Sequence, residues 1–139
     1  MMQRSLHLSM DKMLLLHEHA DTNLPDEAAA LIFGNVSENS IHAKHVELVL
    51  NESSSTVTSF NVNPEEQYRL LVEAEERNEE LVCIFHSHPA PPYPSKTDRR
   101  NMRLNPVVWL IASKDSGTWE SRAYILVNDE IEEVRLVLS

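Results

Sequence analysis

The stretch LVCIFHSHPAPPYPSKTDRRN, from Leu81 to Asn101, constrains the fold of this chain more than any other. It begins with five apolar residues in a row, a pattern typical of a strand buried on both faces. Four prolines between positions 89 and 94 stop the strand, because a proline has no backbone N–H group to donate. Ser95 then stands where a helix N-cap is expected, with an acidic residue three positions later. The stretch therefore predicts a central strand, a stiff loop and the start of a helix.

Helical and strand patterns alternate along the rest of the chain. Ser9 and Asn63 are good N-caps, so we predict helices over about 9–20 and from Asn63 onward. Strands are predicted at SLHL, DEAAALIFGNV, AKHVELVLN, PVVWLIAS, TWESRAYILV and EIEEVRLVLS, with TVTSFNV as the second arm of a hairpin. The alanines of DEAAALIFGNV leave a helical interpretation open. Gly34 is expected to end its strand, and a turn is expected at Asn128 and Asp129.

These elements predict one α/β domain over residues 1–139, a sandwich whose mixed central sheet of about six strands carries two or three packed helices. The chain has 139 residues, which is enough for one hydrophobic core and too few for two ordinary domains.

Charge and cysteine content exclude several classes of function. The formal net charge is −10, and the only cluster of cations is Arg99, Arg100 and Arg103, so we expect no nucleic-acid partner. No apolar run is long enough to span a bilayer, and we expect no signal peptide or membrane anchor. The single cysteine, Cys83, cannot form an internal disulfide. A cytoplasmic protein is the expectation that fits these observations.

The two histidines at the end of the central strand suggest a metal site. Residues two apart in a strand point to the same face, with Cα atoms about 6.5–7 Å apart, so His86 and His88 can share one zinc ion. Ser95 and Asp98 lie one helical turn apart, and Asp98 would supply a third ligand. A hydrolytic site also needs an open position for water and a carboxylate base from elsewhere in the chain. Alternatively, Ser95 and Asp98 form only a helix capping box.

The same residues resemble a known motif. HSHPAPPYPSKTD is similar to the JAMM motif of the MPN-plus metalloproteases, in which His-x-His, a proline-containing loop and Ser-x-x-Asp follow an upstream glutamate. LPDEAAALIFGN resembles the family's upstream segment. Six residues separate His88 from Ser95 here, where the family usually has seven. The resemblance covers about Leu6 to Leu138 and implies the MPN fold, a sandwich like that of cytidine deaminase.

The resemblance also implies roles for individual residues. His86, His88 and Asp98 would bind one zinc ion per chain, Glu27 would be the general base, and Ser95 would donate a hydrogen bond to the developing oxyanion. These roles agree with the chemistry of metal-assisted hydrolysis.

The implied activity is cleavage after the C-terminal glycines of a ubiquitin-like modifier, as in compact archaeal members of the family. The partners would be a small ubiquitin-like protein and its conjugates, and segment 51–60 is our candidate sheet edge for the glycine tail. An alternative is processing of a sulfur-carrier protein or of a cysteine adduct at its C-terminus. A second alternative is a non-catalytic MPN scaffold. The oligomeric state does not follow from the sequence.

Several other residues of chemical interest are expected to have structural roles only. Cys83 lies on the strand face opposite His86, so we expect a buried apolar side chain. On a helix, residues two apart do not face each other, which argues against a site at His17 and His19. Trp109 and Trp119 are expected to be core or sheet aromatics. The remaining histidines, at positions 7, 42 and 45, show no ligand-like spacing.

Overall fold

The computed structural model describes residues 3–52, 62–88 and 91–139, and within them the chain forms seven strands and three helices. The strands are β1 (Ser5–Leu8), β2 (Ala29–Ser37), β3 (Ser40–Val49), β4 (Glu80–His88), β5 (Val108–Ser113), β6 (Glu120–Val127) and β7 (Glu130–Leu138). The helices are α1 (Met10–Asn23), α2 (Pro64–Glu76) and α3 (Lys96–Leu104).

The strands form one closed barrel rather than an open sheet. Their order is β1-β3-β2-β4-β5-β6-β7, and β1 closes the ring because it pairs in parallel with both β3 and β7. Strands β4 and β5 also pair in parallel, and the remaining neighbours are antiparallel. The prediction of a mixed α/β sheet is confirmed, but the count of about six strands is too low. The alternation of apolar and polar residues shows where a strand lies in the sequence. It does not show that a strand as short as β1 pairs with a neighbour on each side.

Two hydrophobic clusters lie on the two faces of the barrel wall. The first contains residues from all seven strands together with Met13, Leu16 and Ala20 of α1, so α1 packs against the barrel interior. The second joins Leu70 and Ala74 of α2 and Met102 of α3 to the other face, which includes Trp109, Ile111 and Tyr124. Helices α2 and α3 therefore cover the outside of the wall, and the candidate site lies on that face.

The helix predictions are close to the structure. Ser9 caps α1, and its side chain accepts a hydrogen bond from Lys12 N. This helix runs three residues past Ala20, because Asp21 to Asn23 remain helical before Leu24. Asn63 caps α2 as predicted, and Pro64 occupies its first turn. No helix in the described ranges is long and apolar enough to cross a membrane.

One strand prediction needs correction, and another falls mostly outside the described residues. Gly34 lies inside β2, which continues to Ser37, instead of marking its end. A Cβ atom at position 34 would overlap the carbonyl oxygen of His42 on β3, so the glycine permits a close approach of two backbones at a bulge. Strand β3 pairs with β1 and β2. The second arm of the predicted hairpin, TVTSFNV, lies outside the described residues except for Val62, which forms an antiparallel bridge with Asn51.

Candidate active site

Strand β4 delivers two histidine side chains to the outer face of the barrel. His86 pairs with Ile111 and His88 with Ser113 of β5, so both point to the same side of the wall. Their ring centroids are 5.5 Å apart. His86 is fully buried and its ring meets the Trp109 ring edge-on at 5.7 Å. The expectation that the two imidazoles share one face is confirmed.

Helix α3 brings the third predicted ligand to the histidines. In its capping box, Ser95 N donates to Asp98 Oδ2 over 2.8 Å and Asp98 N donates to Ser95 Oγ over 3.1 Å. The same carboxylate reaches both imidazoles, with Oδ1 3.1 Å from His86 Nε2 and Oδ2 3.1 Å from His88 Nε2. The six-residue loop is therefore long enough. The capping box and the carboxylate–imidazole contacts coexist, so the two interpretations of Ser95 and Asp98 are not exclusive.

Glu27 approaches His86 from the side opposite Asp98. It lies two residues before β2, is only 4% exposed, and places Oε1 3.2 Å from His86 Nδ1. All five residues singled out in the sequence, Glu27, His86, His88, Ser95 and Asp98, thus come from three separate segments and meet in one place.

Three further side chains fix the backbone that carries Glu27, and sequence reasoning did not find them. Asn51 Nδ2 donates to the Glu27 carbonyl over 3.0 Å. Ser87 Oγ accepts from Ala28 N over 2.7 Å, and Ser87 N donates to Ala28 O over 3.0 Å. His19 Nε2 donates to Ala29 O over 2.9 Å. Of these, only Ser87 had a signal in the sequence, because it stands between the two histidines.

The two carboxylates create a strong preference for positive charge at this point. Burial lowers the pKa of His86, but its hydrogen bonds to Asp98 and Glu27 outweigh burial and raise the pKa to about 9. Burial would raise the pKa of Asp98, whereas its contacts with His86 and His88 hold that pKa far below its usual range. The two carboxylates therefore favour a positive charge beside His86, which either a proton or a bound cation would supply.

The donor set fits a zinc ion. Two imidazoles and one carboxylate are the kind of three-residue set that catalytic zinc sites use. Tetrahedral bonds of about 2.0–2.1 Å put neighbouring ligand atoms about 3.3–3.4 Å apart. Each imidazole lies 3.1 Å from a different oxygen of Asp98, His86 from Oδ1 and His88 from Oδ2. In the structure the three side chains contact one another directly. Within the described ranges, no three His, Cys, Asp or Glu side chains are spaced so that they could hold a metal ion. His88 Nδ1, the ring nitrogen away from Asp98, is buried and has no hydrogen-bond partner among the described residues, which costs free energy.

Residues expected to have structural roles behave accordingly. Cys83 is completely buried, and burial raises the pKa of its thiol. His17 bonds to Ser121 Oγ, while His19 turns to Ala29, so the two side chains do not converge. Trp109 is a core aromatic.

The arginine cluster on α3 contacts the barrel. Arg99 donates to the Asp129 carbonyl, and Arg103 Nε lies 2.7 Å from Asp129 Oδ1. Asp129 is in the turn between β6 and β7, where Asn128 and Asp129 both have positive φ, as expected for that turn.

Comparison with known proteins gives a consistent pattern. Residues 11–127 match the model of a family described as prokaryotic homologs of the JAB domain. The chain is 40% identical over 114 residues to a desampylase of Pyrococcus furiosus, covering 81% of this chain and 76% of that protein. It is 29% identical over 118 residues to a CysO-cysteine peptidase of Mycobacterium bovis, covering 83% and 78% respectively.

Structural comparison agrees with these matches. A solution structure of a protein from Desulfitobacterium hafniense superimposes with a TM-score of 0.84 at 26% identity, covering 96% of this chain and 92% of that one. The barrel with its three helices is therefore a known arrangement.

Proposed function

The chain belongs to the family of prokaryotic homologs of the JAB domain, and from that premise we propose that it is a zinc-dependent peptidase that releases a ubiquitin-like protein from its conjugates. The observation that carries the proposal is the meeting of His86, His88 and Asp98 with Glu27 on the opposite side of His86. The desampylase relative supports the choice of a ubiquitin-like protein as substrate.

Each of the five side chains has a defined task in this proposal. His86, His88 and Asp98 would hold the zinc ion, which when bound would supply a polarised water and a Lewis acid for the scissile carbonyl. Glu27 contacts Nδ1 of His86, the ring nitrogen away from Asp98. In the proposed reaction its carboxylate would turn from that contact to take a proton from the attacking water and pass it to the leaving amine.

Ser95 would stabilise the negative charge that develops on the carbonyl oxygen. Its Oγ already accepts a hydrogen bond from Asp98 N, which uses a lone pair and leaves the hydroxyl proton for donation to the substrate. The capping box therefore orients the serine and the aspartate together, and a helix that begins at this point serves both groups.

The site is largely covered by protein, which suits a slender substrate segment. Glu27, His86 and Asp98 are each at most 4% exposed, so an extended glycine tail could approach where a bulky chain could not. The predicted edge for that tail, segment 51–60, lies outside the described residues beyond Glu52, and its role stays a prediction. A cytoplasmic location is part of the proposal, because Cys83 is a buried free thiol.

Processing of a cysteine adduct on a sulfur-carrier protein is the second candidate. It is favoured by the CysO-cysteine peptidase relative and would use the same five side chains, with the amine of the cysteine as leaving group.

A cleavage assay tests the proposal and separates it from both alternatives. The purified protein is incubated with a ubiquitin-like protein joined through its terminal glycine to a target lysine, and separately with the cysteine adduct. We expect release from lysine that stops with a zinc chelator and returns with added zinc. Preferential cleavage of the adduct would favour the second candidate. Zinc binding without cleavage of either substrate would indicate a scaffold.

A further inference from the structure

The described part of the loop before Ser95, residues 91–94, has few groups that could attach it to the barrel. Residues 91–94 are Pro, Pro, Tyr and Pro, and prolines have no N–H group to donate. The only backbone N–H among these four residues, that of Tyr93, donates to Pro91 O within the loop over 2.7 Å. The carbonyl groups of this segment must therefore find donors elsewhere or remain hydrated.

One donor comes from the wall of the barrel. Tyr124 of β6 donates from its hydroxyl to the carbonyl oxygen of Pro92 over 2.9 Å. The Tyr124 ring also meets the Tyr93 ring edge-on, with centroids 5.4 Å apart, a geometry that aromatic pairs prefer. Tyr124 is only 5% exposed, so this partly buried hydrogen bond has a fixed donor.

One further attachment of this region is exposed to solvent. Helix α3 is tied to the β6–β7 turn through Arg99 and Arg103 on Asp129, but both partners of the Arg103–Asp129 ion pair are at least half exposed. Exposed ion pairs contribute little because water and salt screen them.

We propose that Tyr124 is a positioning residue that holds the shortened proline loop against the barrel, so that Ser95 and Asp98 reach the two histidines. The loop has one residue fewer than the family usually has, so its backbone can follow fewer paths between β4 and α3. The point at which it is attached to the barrel therefore decides where α3 begins. The Pro92 carbonyl lies three residues before Ser95. The prolines on either side of Tyr93 restrict the backbone between these two points, so fixing Pro92 also limits the position of Ser95. The consequence for catalysis rests on the function proposed above; the consequence for the loop does not.

The test uses Tyr124→Phe, which keeps the ring and removes only the hydroxyl. Hydrogen exchange in the chelator-treated protein should show faster exchange at the amides of Tyr93 and Ser95 by about five- to tenfold, the factor expected for one lost hydrogen bond. The amide of Leu110, in the middle of β5, should be unchanged. Tyr68→Phe is the matched control, because Tyr68 lies on α2 and is 69% exposed.

Two further measurements connect the loop to the site. Zinc affinity, measured by competition with a chromogenic chelator, should fall by a similar factor in Tyr124→Phe and stay the same in Tyr68→Phe. In the active enzyme, kcat should fall likewise while KM for the conjugate changes less than about twofold, since a misplaced Ser95 and Asp98 affect the reacting groups more than substrate binding.

Two results would overturn the proposal. One is that the amides of Tyr93 and Ser95 exchange at the wild-type rate in Tyr124→Phe. The other is faster exchange at Leu110 by the same factor, which would show that the hydroxyl stabilises the whole barrel and has no specific effect on the loop. If the wild type cleaves no substrate, the proposed function fails, but the exchange measurement still decides whether Tyr124 positions the loop.

Discussion

Ser87 stands between the two site histidines but its side chain belongs to the other side of the strand. It pairs with Ala112 of β5, a residue of the interior cluster, and its hydroxyl accepts from Ala28 N over 2.7 Å. Ala28 directly follows Glu27, so this one hydroxyl joins the strand of the histidines to the segment of the glutamate. The His-Ser-His sequence therefore positions three side chains of the site.

Replacing Ser87 tests that connection. Ser87→Ala would leave the buried N–H of Ala28 without its acceptor, and we expect a loss of about 1–3 kcal/mol in the free energy of unfolding. Urea denaturation measures it, with Ser116→Ala, an exposed serine in a turn, as the control that should change by less than about 0.5 kcal/mol. Equal stabilities for Ser87→Ala and the wild type would mean that the hydroxyl does not support the site.

At the residue scale, the sequence predicted the site and missed much of its support. Glu27, His86, His88, Ser95 and Asp98 could be singled out because their residue types and order follow a known motif. Asn51 and Tyr124 could not, because each acts by donating to a backbone carbonyl. Any asparagine or tyrosine can make such a bond, and only the fold decides which one is near enough.

At the scale of elements, β2 connects the backbone bulge at Gly34 with the position of Glu27 at the candidate site. Its N-terminal end follows Glu27, and its middle contains Gly34 at a bulge against β3. The three atoms nearest to a Cβ added at this position are backbone atoms of His42 and Lys44, which cannot rotate away as side chains can. The register of β2 against β3 and β4 therefore depends on this glycine.

The variant Gly34→Ala should separate the two backbones and destabilise the protein by about 3 kcal/mol, at the upper end for overpacking. Thermal and urea denaturation measure the effect. The control is Val36→Ala on the same strand, where the side chain is half exposed and the loss should stay below about 1 kcal/mol. A stable Gly34→Ala protein would show that the bulge can open without cost.

Elements whose signals are local were predicted well. The caps at Ser9, Asn63 and Ser95 depend on a few neighbouring residues and were all confirmed. Strand partners depend on residues far apart in the chain. Thus Gly34 was misjudged as a strand end, and the pairing of β3 with β1 and β2 could not be read from periodicity.

At the scale of the whole molecule, barrel closure brings the ends of the chain together. Strand β1 near the N-terminus pairs with β7 at the C-terminus, and Met10 N donates to Ser139 O over 2.8 Å. The site is assembled on this closed wall from α3 and from the ends of β2 and β4, so an ion held by His86 and His88 of β4 and by Asp98 of α3 should stabilise the entire fold.

Added zinc should raise the melting temperature. At a free concentration one hundred times Kd, one site adds about 2.7 kcal/mol to the free energy of unfolding, which is roughly 8 °C for a chain of this size. Differential scanning calorimetry with chelator and with zinc measures the shift. Asp98→Asn should lose most of it, because a carboxamide is a poor zinc ligand; an unchanged shift in that variant would place the zinc elsewhere.

The most direct test of the account is Glu27→Gln, with zinc content and the rate of conjugate cleavage measured on the same preparation. The amide keeps the size of the side chain but cannot take a proton, and loss of a general base slows a reaction by about 10²–10⁴. We predict one zinc ion per chain in both proteins, cleavage at least about a hundredfold slower in the variant, and no change in the surface control Glu130→Gln. A variant that retains its zinc and cleaves at the wild-type rate would contradict the account.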